Sequence, residues 1–203
     1  MNPLLPVGYS PVPPGHVVNA VTCLEMMERP ANAVGGRFKP PYRLESLDRS
    51  NLFAYRTLFQ RVGEPWLWSS RLAQNATALA AILNNPKIHP FALSDGAQQV
   101  GILELDFQQA GECELAFFGL VPGFTGKGLG RALMDAAIEL AWAQPIRRFW
   151  VHTCTFDHPA ALGFYQRSGF RPYAFEVEVM RDPRLAGRLP RTAAPHIPLI
   201  EVG

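Results

Sequence analysis

The sequence predicts one α/β domain in which a mixed sheet is flanked by helices. Three apolar runs follow one another like consecutive strands, and short turns at Asp95-Gly96 and Ala110-Gly111 separate them. The runs cover residues 88–93, 100–106 and 112–121. An alternating order of strand, helix, strand, helix and strand then leads to residue 180. With 203 residues, of which 48% are hydrophobic, the chain is large enough to bury a full-sized core.

The segments before and after this core have a different character. Residues 1–16 are rich in proline and predict an extended arm, whereas the β-branched run Val17 to Met26 indicates an extra strand. A loop from Pro30 to Pro41, with Gly35-Gly36, leads to a further strand at Tyr42 to Leu47. We therefore divide the chain into an N-terminal extension (1–41), the main domain (42–180) and a C-terminal tail (181–203).

Two helices are predicted between the strand at 42–47 and the strand at 88–93. Ser50 is placed to cap the first helix, whose apolar face ends at Gly63. The second is expected to run from near Trp66 to Leu83 and to end before Pro86.

Composition excludes several classes of protein. A net charge of +2 is too small to indicate binding to nucleic acid or to an anionic membrane. Three widely spaced cysteines, without a C-x-x-C pair, indicate neither a disulfide framework nor a zinc site. No basic, apolar leader and no stretch of about 20 apolar residues is present, so we expect a cytoplasmic protein without a membrane span.

A glycine-rich turn is the most informative stretch of the sequence. It runs from Val121 to Arg131, between an apolar strand and a helical pattern, and contains Gly126, Gly128 and Gly130. Bare amide groups at the start of a helix form a site for an anion such as a pyrophosphate. The run lacks the Ser or Thr that follows Gly-Lys in a P-loop, and its spacing differs from the dinucleotide fingerprint G-x-G-x-x-G.

A second motif follows one strand later. The stretch that begins at His158 predicts a short helix ending at Gly169, with Pro159 in its first turn, Gly169 as its C-terminal cap and Phe170 directly after it. Together the two motifs resemble the GNAT superfamily of N-acetyltransferases, well over residues 87–180 and loosely over 42–86. The resemblance implies a mostly antiparallel sheet whose fourth strand splays from its neighbour, with acetyl-CoA as the co-substrate.

The resemblance also implies which residues bind acetyl-CoA. In the family, backbone groups at the end of the splayed strand pair with pantetheine, and the Gly-rich loop holds the pyrophosphate. The corresponding residues are Phe118, Gly119, Leu120, Gly126, Lys127, Gly128, Leu129, Gly130, Arg131 and His158. Two positions depart from the pattern: Thr125 replaces a Gln or Arg, and His158 replaces an Asn. Lys127 and Arg131 still supply positive charge.

Two residues are predicted to carry the proton transfers of acetyl transfer. Glu114 is similar in position to the general base of the histone-acetylating branch, and Glu112, on the same face by period two, is its rival. Tyr165 matches the family tyrosine that reaches the CoA sulfur, where a phenol can protonate or hold the leaving thiolate. The alternative for Tyr165 is a core aromatic beside Phe164.

The resemblance leaves the acceptor open. We expect a small-molecule primary amine attacked directly in a ternary complex, with a protein N-terminus or lysine, or a non-catalytic acyl-CoA-binding domain, as alternatives. Trp66 and Trp68 are candidates for the acceptor pocket or for helix packing. A hairpin carries acidic residues that either attract a cation or form a solvated face; they are Glu104, Asp106, Glu112 and Glu114. No metal, nucleic acid or membrane partner is predicted, and the protein is expected to be a monomer or a homodimer.

Overall fold

The computed structural model describes residues 4–31 and 38–201. Seven strands and four α-helices account for its regular structure. The strands are β1 (His16–Met26), β2 (Arg43–Ser46), β3 (Ile88–Ser94), β4 (Gln99–Asp106), β5 (Glu112–Leu120), β6 (Arg148–Cys154) and β7 (Arg171–Arg181). The α-helices are α1 (Leu52–Gly63), α2 (Ala76–Asn84), α3 (Leu129–Trp142) and α4 (Ala161–Arg167), and a short 3₁₀ helix covers Glu64–Trp66.

All seven strands belong to one sheet, in the order β2-β3-β4-β5-β6-β1-β7. Five of the six pairings are antiparallel, and the pairing of β5 with β6 is parallel. The predicted mixed, mostly antiparallel sheet is therefore confirmed. The strand predicted at Val17 to Met26 lies inside the sheet, where β1 forms ladders with both β6 and β7.

Alternating side chains divide the core between the two faces of the sheet. Ala92 and Ile102 pack with the residues of α1 and α2 on one face. Their neighbours Leu93 and Leu103 point the opposite way, toward α3 and α4. This period of two is what a strand buried on both faces requires. The two helix layers therefore pack on opposite faces of β4.

The first two helices differ in detail from the sequence prediction. Asn51, not Ser50, caps α1, because its side-chain oxygen accepts from the Ala54 backbone N–H at 3.0 Å. The predicted second helix is shorter than expected: Asn75 caps α2, which begins at Ala76. Residues 67–75 instead form an irregular connection that contributes to the site described below.

The segment after β7 contains neither helix nor strand over 182–201, yet it is packed onto the domain. Leu189 and Ile197 are buried with Leu67 and Phe156 in a third apolar cluster. Arg184 is buried as well, and its guanidinium donates to Asp182 and to the backbone carbonyls of residues 193, 197 and 198. The assignment of 1–41 and 181–203 as separate regions stays a prediction, and the loop at Gly35-Gly36 lies outside the described residues. No helix in the described part of the chain is long and apolar enough to cross a membrane.

Candidate active site

The sheet opens between β5 and β6. The parallel ladder joins only Glu112, Cys113 and Glu114 to β6, whereas the opposite edge of β5 stays paired with β4 as far as Leu120. Ala116 is the extra residue of a β-bulge, since Leu105 faces Leu115 and Glu104 faces Phe117. A bulge bends the strand that carries it and increases its twist. The predicted splay of this strand is thereby confirmed, and the β6 side of residues 116–120 lies outside the ladder.

The opening between the strands is part of a cavity of about 1120 Å³. Its walls come from β5, β6, α4, the start of α3, the 66–71 segment, β1 and β7. Most of the predicted site residues line it: Glu114, Tyr165, Phe118, Gly119, Leu120, Gly126, Gly128, Gly130, Arg131 and His158. The splayed strands therefore gather residues that are far apart in the sequence around one space.

Two predicted cofactor-binding residues do not line the cavity with the others. Leu129 is buried in the core beneath α3. Lys127 is exposed, and its Nζ lies 5.0 Å from the centre of the Phe124 ring. Any contact of Leu129 with a ligand would therefore have to be made by its backbone. Arg131 does reach the cavity and also pairs with Asp135, at 2.9 Å between Nε and Oδ1.

The Gly-rich turn, defined here as the Gly loop (residues 122–128), is exposed over 125–128. Gly128 caps α3 with φ +78°, a left-handed conformation that favours glycine. A Cβ atom built on Gly126 or on Gly128 would meet no atom within 4 Å. Side chains are therefore missing where open space borders the first turn of α3, as the binding of a bulky anion through backbone amides requires.

A glycine is needed at position 119 for a different structural reason. A Cβ atom at this position would lie 2.6 Å from Cγ1 of Val62 on α1. The absence of a side chain lets β5 approach α1 closely, while the same residue lines the cavity.

Glu114 and His152 face each other across the opening. Oε1 of Glu114 lies 3.3 Å from Nδ1 of His152, and both residues line the cavity. The hydrogen bond with the Glu114 carboxylate raises the pKa of His152, against the opposing effect of burial. The rival base, Glu112, is occupied differently, because its Oε2 accepts from Arg148 at 3.1 Å, and it is not among the cavity residues.

Tyr165 is nine-tenths buried on α4, and it packs against Phe118 and Phe170 at ring distances of 6.3 and 6.0 Å. Burial raises the pKa of its phenol, and the nearby Asp157 carboxylate raises it further. The phenol therefore stays protonated at neutral pH. Its placement at the cavity is compatible with a proton donor, and its packing is equally what a core aromatic would show.

His158 lies at the turn that leads into α4. Its Nδ1 accepts from the Ala160 backbone N–H at 3.1 Å, and its ring meets that of Trp66 edge-on at 5.5 Å. Trp66 also contacts His196, which brings the C-terminal segment to the cavity rim. Trp68 belongs to the apolar cluster of α1 and α2, and its Nε1 donates to Asp157 at 3.4 Å.

The Glu104 carboxylate is neither exposed to solvent nor without hydrogen-bond partners. It is completely buried, and it accepts hydrogen bonds from the Tyr55 hydroxyl at 2.6 Å and from Arg71 at 2.5 Å. The alternative of a solvated acidic face is therefore wrong for Glu104. Its charge is balanced by Arg71, whose guanidinium also lies 5.0 Å from the Phe117 ring centre.

Cys154 lies two residues after His152 on β6, but the two do not form a nucleophile pair. His152 is engaged by Glu114, and burial raises the pKa of Cys154 to about 11. A thiol with that pKa is protonated at neutral pH and is a poor nucleophile.

Sequence reasoning missed several residues at the far end of the cavity. Asn19 on β1 and Glu178 on β7 line it, as do Arg71 and Arg188. Asn19 was detectable as the one amide side chain within the mainly apolar run from Val17 to Met26. Its position beside β7 depends on long-range strand order, which local patterns do not contain.

Comparison with known proteins agrees with this architecture. The model of the acetyltransferase (GNAT) family matches residues 50–170, which is more than half of the chain. The chain therefore belongs to the GNAT acetyltransferase family.

Among curated proteins, a mycothiol acetyltransferase from Beutenbergia cavernae is 34% identical over 65 residues. That match covers 32% of this chain and 22% of the relative, so the chain corresponds to about a fifth of that protein's length.

Solved structures share the fold. A GCN5-related N-acetyltransferase from Sphaerobacter thermophilus superposes with a TM-score of 0.60 at 12% identity, over 83% of this chain and 52% of that chain. A GCN5-related N-acetyltransferase from Kribbella flavida gives 0.52 at 16% identity, over 85% and 63%. An aminoglycoside acetyltransferase from a soil metagenomic sample, in complex with sisomicin, gives 0.53 at 16% identity, over 63% and 86%.

Proposed function

We propose that this protein transfers an acetyl group from acetyl-CoA to a primary amine of a small molecule. The observation that carries the proposal is the continuous cavity that joins the Gly loop to the opening between β5 and β6. One end offers backbone amides for a pyrophosphate, and the middle offers a titratable pair next to unpaired strand backbone. Family membership supports the acetyl group as the cargo.

The residues of this chain fit acetyl-CoA along the whole cavity. The open space at Gly126 and Gly128 suits the pyrophosphate, and Arg131 and Arg167 add positive charge at the cavity wall. The β6 side of residues 116–120 is free to pair with an extended, amide-containing arm as an added strand would. Acetyl-CoA, when bound, supplies a thioester carbonyl as the electrophile.

The amine must lose a proton because its nitrogen is positively charged once it has attacked the carbonyl. We assign this proton to the Glu114–His152 pair, which faces the cavity at the point where the strands part. His152 takes the proton on its ring, and Glu114 holds the imidazole and stabilises the imidazolium. Because the two groups are within hydrogen-bonding distance, their titration belongs to the pair.

The leaving thiolate needs a donor on the other side of the cavity. We assign this role to Tyr165, whose raised phenol pKa keeps the proton available at neutral pH. The stacked rings of Phe118 and Phe164, 5.8 Å apart, pack beside it. The attack, the proton removal and the thiolate departure then proceed in one ternary complex, without a covalent enzyme intermediate.

The proposal is tested by following free thiol release from acetyl-CoA with a panel of primary amines. We expect thiol and acetylated amine to form in equal amounts, at a rate that depends on both substrates. Thiol release that is unaffected by any small amine would contradict the proposal. Tight acetyl-CoA binding without turnover would favour a binding domain, and activity on peptides alone would favour a protein acceptor.

A further inference from the structure

The far end of the cavity is built by β1 and β7, which lie side by side at the edge of the sheet. Asn19 and Glu178 stand directly opposite each other in the ladder, and Val17 and Met180 form the next pair on the same face of the sheet. Asn19, Glu178 and Met180 all line the cavity, as does Val21 two residues along β1. We call this wall the acceptor end, because the Gly loop occupies the other end.

Asn19 carries an unpaired acceptor at this wall. The residue is only 3% exposed, and its Nδ2 donates to Oε2 of Glu178 at 2.9 Å. No donor in the described part of the chain reaches its Oδ1. Turning the amide over would place an oxygen against the carboxylate, so the observed orientation is the one the chemistry requires.

A buried acceptor without a partner is destabilising, so native proteins seldom keep one. The second oxygen of Glu178 is free of protein donors in the hydrogen bonds of the described residues. The acceptor end therefore presents a carboxylate oxygen of Glu178 that has no protein donor among the described residues, and Arg188 is the positively charged side chain that shares this end of the cavity. Such an oxygen suits a group that only donates, and an ammonium is the simplest of these.

The charge at the acceptor end also acts on the proposed catalytic pair. Glu114 has the largest effect on the pKa of His152, and the charge of Glu178 raises that pKa as well. In the strand register, His152 is opposite Cys23, four residues from Asn19 on β1. At the rise of an extended strand this is about 13 Å, which a long aliphatic chain can span.

Resting on the function proposed above, we infer that the acceptor carries two amino groups separated by a long aliphatic spacer. One amine reaches the Glu114–His152 pair, and the other is held as an ammonium by the Glu178 carboxylate, which the Nδ2 of Asn19 fixes in place. Val21 and Met180 provide an apolar surface for the spacer between them. The ligand class is therefore a long diamine or polyamine.

The test compares three ligands of equal length that differ only at the far end. Octylamine, 1,8-diaminooctane and 8-aminooctanoate are titrated calorimetrically into the CoA-loaded protein. We expect the diamine to bind about tenfold more tightly than the monoamine, as a charge-assisted hydrogen bond to a carboxylate implies, and the amino acid to bind most weakly. Equal affinities would overturn the inference, and so would tightest binding of 8-aminooctanoate, which would assign the far end to Arg188.

Single substitutions test which residues cause the preference for the diamine. Glu178→Gln removes the charge on an exposed strand without disturbing the core and should abolish the preference for the diamine. Asn19→Leu should do the same if the protein remains folded. Glu176→Gln is the matched control, since it removes an identical charge from β7 outside the cavity, and it should keep the preference. A diamine preference that survives Glu178→Gln would contradict the assignment.

Measuring both binding and turnover distinguishes a failure of the proposed function from a failure of the diamine recognition site. If the diamine preference is present but no amine is acetylated, the proposed function fails and the recognition site stands. If amines are acetylated with no preference for the diamine, the recognition site alone fails.

Discussion

Nδ1 of His152 lies 3.3 Å from Oε1 of Glu114, and the two side chains face each other where β5 and β6 part. Glu114 is the last residue of β5 in the parallel ladder, so its side chain stands at the edge of the opening. The carboxylate raises the pKa of His152 by accepting a hydrogen bond from its ring. This pair is the centre of the mechanism proposed here.

The first prediction concerns the Gly loop. Gly128→Asp and Gly128→Asn introduce side chains of nearly equal size, both tolerated at positive φ, but only aspartate adds a negative charge next to the proposed pyrophosphate site. We expect acetyl-CoA to bind Gly128→Asp at least about tenfold more weakly than Gly128→Asn, measured by calorimetric titration. Equal affinities in the two folded variants would remove the phosphate site from this loop.

The second prediction concerns Tyr165. Tyr165→Phe keeps the ring in contact with Phe118 and Phe170 and deletes only the hydroxyl. If the phenol protonates the leaving thiolate, kcat falls about 10²-fold while acetyl-CoA affinity hardly changes. Phe164→Leu serves as a control for packing alone. Normal turnover in Tyr165→Phe would leave the residue with a role in the core only.

The third prediction concerns the buried ion pair behind the site. Glu104→Gln removes the charge that balances Arg71 and weakens the hydrogen bond from Tyr55. We expect the free energy of unfolding to fall by about 3 kcal/mol in urea titrations, because a buried guanidinium is left without its counter-ion. Glu45→Gln, at an exposed ion pair with Arg43, should change it by less than about 1 kcal/mol. Similar small effects for both variants would show that Arg71 is effectively solvated.

Local patterns in the sequence predicted much of this fold. Strands β3, β4 and β5 have alternation and turn residues that act over a few positions, and they appear within about two residues of their predicted ends. The second helix was predicted too long, because the cap at Asn75 competes with an apolar pattern that continues on both sides. Local preference does not reveal which of these signals prevails.

Long-range pairing accounts for the features that the sequence could not predict. The place of β1 between β6 and β7 is fixed by contacts with residues more than 120 positions away, for example Val21 with Cys154 and Glu176. The acceptor end follows from this order, and the partnership of Glu114 with His152 follows from the parallel pairing of β5 with β6. Glu104 looked like any other hairpin acid until Tyr55 and Arg71 were placed beside it.

The most direct test of the central claim is the pH dependence of kcat/KM, measured with a weakly basic amine that stays unprotonated throughout the range. The Glu114–His152 pair must be free of its extra proton to accept one, so the rate should decline as the pH falls through the raised pKa of His152.

In Glu114→Gln the carboxylate that raises the pKa of His152 is gone, so the acidic limb of the profile should move to lower pH. The rate should fall by at most about 10²-fold. His152→Asn should remove that limb, and Glu112→Gln, at the residue bound to Arg148, should leave it in place. An acidic limb with the same midpoint in the wild type, Glu114→Gln and His152→Asn would contradict the assignment of the proton to this pair.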